Sequence, residues 1–191
     1  MRLIAGMISI AAMVACAALV ALTSTSASAQ APEYINREYR FMVDFPVAPK
    51  EGAGDYVNSN GARLAARVFS ADDGMGHYRM TVVRFPAEVA NVQAELNHAA
   101  DLERPKGKIL HDAPSNYDGA TGRELILIGR EGRQIYANVL YYDRILYIVE
   151  GDVSADSAPP LRFQTSIVVL DADGKPICGS ADRTTCLTIK N

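Results

Sequence analysis

The side chains that could do chemistry are three histidines, scattered carboxylates, a cysteine pair and a run of tyrosines. Glu95, His98 and Asp101 stand three apart in a stretch with helical periodicity, so neighbouring members share a helix face. Histidine is the commonest metal ligand, and such a set could hold a cation. The competing reading is the solvated polar face of an amphipathic helix. It is favoured, because no second cluster with ligand spacing accompanies the first. His98 with Asp101, and His111 beside Asp112, invite a hydrolase reading, but a triad needs a nucleophile held against its base. No G-x-S-x-G occurs, and Ser115 and Ser166 carry no local signature. No G-x-G-x-x-G or phosphate loop appears either.

Asp171-Ala172-Asp173-Gly174 looks like the start of a calcium loop. Counted from Asp171, the fifth and sixth places hold Lys175 and Pro176, where oxygen and glycine are required. An Asp-Gly turn is the expectation. No catalytic residue and no cofactor are expected. The alternative is a secreted hydrolase or metal-dependent enzyme using His77, His98 or His111, two of which would have to converge with a carboxylate.

Tyr136, Tyr141, Tyr142 and Tyr147 fall on adjacent expected strands. On a partly open face they would make an aromatic surface of the kind that binds partners. Otherwise they pack beneath helices with their hydroxyls at the rim.

The elements that must position these residues centre on Arg123 to Val153. RELILIGR, RQIYANVLYY and RILYIVEGDV read as three consecutive antiparallel strands joined at Glu131-Gly132 and Asp143-Arg144. In the middle strand Ile135, Ala137, Val139 and Tyr141 alternate with Tyr136, Asn138, Leu140 and Tyr142. Both sets are largely apolar, so both faces should be covered. Upstream, Tyr39 to Phe45 reads as a strand, Lys50 to Gly61 as a loop, and Ala62 to Ser70 with Tyr78 to Phe85 as a hairpin. Pro86 opens an amphipathic helix that ends near Pro105 and Gly107. Ile109-Leu110 reads as a short edge and Asp112 to Gly122 as loop. A second helix follows Ser157, its expected cap, and docks Leu161, Phe163 and Ile167 on the sheet. Strands and helices are segregated, which predicts an α+β fold: an antiparallel sheet of about six strands flanked by two helices.

These elements carry a resemblance. The opening strand ends in Asp44-Phe45-Pro46, and Gly122-Arg123-Glu124 enters the central hairpin. Arg144-Ile145-Leu146-Tyr147 starts the third strand, and Arg162-Phe163-Gln164-Thr165-Ser166 forms the closing helix. Residues 37–170 thus resemble the Mog1/PsbP-like fold group, in particular its small secreted bacterial members. Eukaryotic Mog1 proteins bind a small GTPase and PsbP proteins attach to photosystem II. The resemblance implies an accessory or binding role without catalysis.

The totals fit one domain: 191 residues, 49% hydrophobic and 21% charged. A net charge of −3 lacks the basic footprint of a nucleic-acid binder. Residues 1–29 read as a signal peptide. Met1-Arg2 precedes an apolar run from Leu3 to Leu22, and Ala27-Ser28-Ala29 offers the cleavage site, with a second at Ala29-Gln30-Ala31. The alternatives are a retained membrane anchor, giving an envelope component, and lipidation at Cys16. Residues 30–36 are a lead-in and 171–191 a tail. Cleavage leaves Cys178 and Cys186, separated by seven residues, which suits one disulfide in an oxidising compartment and not a C-x-x-C metal or redox pair. The expectation is a periplasmic or secreted module with no membrane span after cleavage. Its partner is an envelope protein or a small ligand.

Overall fold

The computed structural model describes residues 33–117 and 119–177. The expected signal peptide, Cys16, Cys178 and Cys186 lie outside them. The strands are β1 (Tyr34–Asn36), β2 (Phe41–Val43), β3 (Lys50–Val57), β4 (Arg63–Asp72), β5 (Gly76–Arg84), β6 (Lys108–Tyr117), β7 (Ala120–Ile128), β8 (Gln134–Tyr142), β9 (Ile145–Val153) and β10 (Val168–Val169). The helices are α1 (Val92–Glu103) and α2 (Leu161–Thr165). Seven strands form one antiparallel sheet in the order β3-β4-β5-β9-β8-β7-β6, and β1-β2-β10 form a small second sheet. The α+β class and the antiparallel sheet hold. The sheet is wider than six strands, and α2 is a single turn of five residues.

The sheet has two covered faces because β8 and β9 are apolar on both. On one face α1 seals Leu125, Ala137, Val139, Leu146 and Ile148 with its own Leu96, Ala99 and Ala100. On the other, β2 and α2 seal Phe69, Met80, Leu140, Tyr147 and Val149 with Phe41, Val43 and Phe163. A buried amide exchange fixes α2 in place: Asn138 Nδ2 donates to the Gln164 carbonyl at 3.0 Å, and Gln164 Nε2 donates to Asn138 Oδ1 at 3.2 Å. One backbone carbonyl and three side-chain polar groups are paired inside this contact, while Gln164 Oε1 is buried without a partner.

Several expected boundaries move. Lys50 to Val57 is strand β3, paired along its whole length with β4. Its residues are mostly exposed, because an edge strand needs no buried face. Asp112 to Gly122 is likewise not a loop: β6 runs to Tyr117 and β7 starts at Ala120. Pro114 fits β6 because that strand is the other edge of the sheet, where a missing N–H breaks no ladder. Helix α1 begins at Val92 and not at Pro86, since Asn91 caps it by accepting from the Ala94 N–H at 3.0 Å. Ser157 caps nothing; its hydroxyl meets that of Ser154 at 2.6 Å, and Pro160 holds the cap position of α2. Leu161 is exposed while Phe163 and Ile167 are buried. The opening strand shrinks to three residues because Arg40 has a φ of 56°, which no strand residue adopts. β1 draws part of the lead-in into the fold by pairing with β2, and Ile177 is buried at the other end.

Candidate functional site

Glu95, His98 and Asp101 are each tied to a different neighbour. Glu95 is 1% exposed and accepts from the Tyr56 hydroxyl at 2.6 Å, from the Ser59 hydroxyl at 2.6 Å and from the Ser59 N–H at 3.1 Å. Burial and that carboxylate push the Tyr56 hydroxyl well above its ordinary pKa, so it stays a neutral donor. His98 Nε2 lies 2.8 Å from the Val57 carbonyl, and Asp101 pairs with Arg104. Glu95, His98 and Asp101 are therefore engaged separately. Among the described residues no three His, Cys, Asp or Glu side chains group as a metal site. His77 pairs with Asp72 at 2.7 Å on β5, and His111 lies on edge strand β6, four strand steps or roughly 19 Å across the sheet.

Beneath the end of α1 lies an ionic network. Lys106 Nζ bridges Glu103 at 2.6 Å and Glu150 at 2.8 Å, and Arg79 adds a bond to Glu150 at 2.9 Å. Burial, with Glu150 beside it, raises the pKa of Glu103 despite Lys106. Asp112 sits between Arg104 and Arg123. Burial pushes Asp112 up, but hydrogen bonds from the two guanidiniums outweigh it and leave its pKa below the ordinary value.

The four tyrosines do not form one surface. Tyr141 is buried on the α1 side of the sheet, and Tyr147 is fully buried on the opposite side. Tyr136 and Tyr142 are half-buried. Tyr141 and Tyr147 pack beneath the two layers that cover the sheet. Tyr147 has a specific task. Its hydroxyl donates toward the carbonyls of Tyr39 at 3.0 Å and Arg40 at 3.2 Å, and the Leu170 N–H also donates to the Arg40 carbonyl at 2.9 Å. These bonds hold Arg40 in its left-handed conformation.

Arg40 opens onto the cleft that sequence reading missed. Its guanidinium reaches across 103 residues to the β8–β9 turn, where Nη1 meets Asp143 Oδ2 at 2.8 Å and Nη2 meets the Asp143 carbonyl at 3.2 Å. That turn is Asp143-Arg144, with φ of 42° and 63°, the positive values a two-residue hairpin of the I′ type requires. The Arg144 carbonyl accepts from the Phe85 N–H at 2.8 Å, which docks the turn on the end of β5. Arg40, Arg84, Phe85, Pro86, Asp143 and Arg144 line a cleft of about 280 Å³. Arg84 continues into a neighbouring groove of about 490 Å³, whose walls include Tyr39, Leu64, Ala65, Arg67 and Val82. Arg84 Nη2 donates to the Glu38 carbonyl at 2.6 Å, and Arg67 Nε donates to the Tyr39 hydroxyl at 3.3 Å. The cleft thus gathers three guanidiniums around one carboxylate. A turn of the I′ type that lacks glycine was its only local trace in the sequence.

A third cleft, of about 480 Å³, lies beyond Phe85 and Pro86 at the start of α1, with Leu64, Val89, Ser59 and Glu95 among its walls. Among the described residues no helix is long and apolar enough to cross a membrane. Compared with known proteins, the chain matches no family model, and no curated protein or solved structure is significantly similar to it.

Proposed function

We propose that this chain is a secreted, periplasmic accessory module of the Mog1/PsbP-like type, which binds an acidic partner and carries out no catalysis. The observation that carries the reading is the arginine-lined groove and cleft that meet at Arg84. Four arginines, Arg40, Arg67, Arg84 and Arg144, line these concave surfaces against the carboxylates of Glu38 and Asp143, in a chain whose net charge is −3. The layered α+β architecture agrees with the resemblance. The side chains best suited to acid–base work (Glu95, His98, Glu103, Asp112) are engaged within the fold. Secretion, and the Cys178–Cys186 link that goes with it, belong to the same proposal.

A photo-crosslinking side chain at Ala65, in the groove, tests it in the native envelope against the same group at the exposed Leu110 on β6. The expected outcome is a discrete adduct from Ala65 that disappears when Arg84→Glu is added and that Leu110 does not give. Equal labelling from both positions, or turnover of a substrate by the purified protein that Arg84→Glu leaves intact, removes the proposal.

A further inference from the structure

We infer that the cleft formed by Arg40, Arg84, Asp143 and Arg144 is a binding site for a doubly charged oxyanion of the phosphate or sulfate class. The inference rests on the reading that this face binds, and it names the chemistry the face selects. Among the described residues four non-glycine side chains have positive φ, and three of them, Arg40, Asp143 and Arg144, line this cleft. Strain of this kind collects where structure serves a site. The turn itself does not require it at Arg144, since glycine takes the same conformation freely.

The donors are also unequally used. Both Nη atoms of Arg40 are occupied by Asp143, and its Nε is buried without a partner. Arg84 spends one N–H on the Glu38 carbonyl. Arg144 comes no nearer to Glu88 than 3.8 Å. Two guanidiniums therefore keep donors for a guest, with a third beside them already neutralised. Asp143 displays what a monoanion achieves here: it pairs with a single arginine and leaves Arg40 Nε without a partner. Arg84 and Arg144 carry two positive charges, met among the described residues only by the exposed Glu88 at 3.8 Å from Arg144, and a doubly charged tetrahedral oxyanion offers acceptors to both guanidinium forks. A space of about 280 Å³, with Phe85 and Pro86 forming its apolar wall, admits such a group.

The test is an amide NMR titration of the intact mature protein with sodium sulfate and with sodium phosphate, against sodium acetate at matched ionic strength. Saturable shifts are expected at Arg84, Phe85, Asp143 and Arg144, with acetate binding at least ten-fold more weakly. Arg84→Gln and Arg144→Gly should each weaken sulfate binding ten-fold or more. Arg63→Gln, at an exposed residue paired with Asp55 outside the cleft, should leave it unchanged. Arg84 is exposed on its strand end, so its variant keeps the test decisive if Arg144→Gly does not fold. Shifts that never saturate, equal response to acetate, or wild-type affinity in Arg84→Gln would overturn the inference. Ala65 crosslinking with no oxyanion binding sinks the inference alone. Oxyanion binding with no groove-specific adduct keeps it and sinks the partner reading.

Discussion

At the scale of single residues, backbone conformation and side-chain identity disagree at Arg144. An L-residue in the left-handed region costs about 1 kcal/mol or more relative to the right-handed one. Glycine removes that cost but gains freedom in the unfolded chain, so Arg144→Gly should stabilise the protein by only about 0.5 kcal/mol. Urea unfolding measures this, and a gain in stability with a loss of oxyanion affinity would mark a side chain kept for binding. Glu103 gives a second, pH-dependent expectation. Its pKa is raised in the fold by burial and by Glu150, so the folded protein holds that proton more tightly than the unfolded chain. Its contribution to stability is complete below the ordinary glutamate value of 4.5 and is lost as pH rises through the higher folded value. Asp112 has the opposite sign: its contribution is present above 3.8 and is lost as pH falls. Glu103→Gln removes the first titration only. Its stability relative to wild type should therefore climb as pH rises from 4.5, and then level off. Parallel curves for the two proteins in urea across that window would exclude this account.

Among the elements, α2 depends on a glycine in the strand beneath it. A Cβ on Gly151 would lie 2.6 Å from Pro160 Cβ and 2.9 Å from Pro160 Cγ, at the start of that single turn. Gly151→Ala should cost about 2 kcal/mol as α2 is pushed from β9, visible as a lower midpoint in chemical denaturation and as new amide shifts at Phe163 and Gln164. The same strands show what sequence makes legible. β8 and β9 could be read because alternation there is apolar on both phases, which only a sheet covered on two sides demands. β3 and β6 could not: as edges they bury little, and Gly52, Gly54 and Pro114 look like loop residues when no neighbouring strand is in view. The start of α1 was ambiguous because Val89 fits its apolar period while Asn91 offers a better cap. The cleft was least legible of all. Arg40, Arg84 and Arg144 come from three distant stretches, and only the fold brings them within reach of one guest.

For the whole molecule, the distribution of buried surface bears on how the chain is processed. The sheet is closed above by α1 and below by β1, β2, β10 and α2, and among the described residues the first strand begins at Tyr34. Both cleavage sites read from the sequence, after Ala29 and after Ala31, precede it. Cutting at either therefore removes no strand and no core side chain among the described residues. Secretion would also place Cys178 and Cys186, just beyond the buried Ile177, in an oxidising compartment. Closing their loop would add about 2.5 kcal/mol on the chain-entropy relation. The intact mass of protein recovered gently from a bacterial periplasm should accordingly correspond to a chain starting at Gln30 or Pro32, lighter by two hydrogens. A species that retains Met1 or begins at Cys16 would mean that the leader is an anchor. The arginine cleft would then be presented at a membrane surface, and its oxyanion would be sought among lipid headgroups.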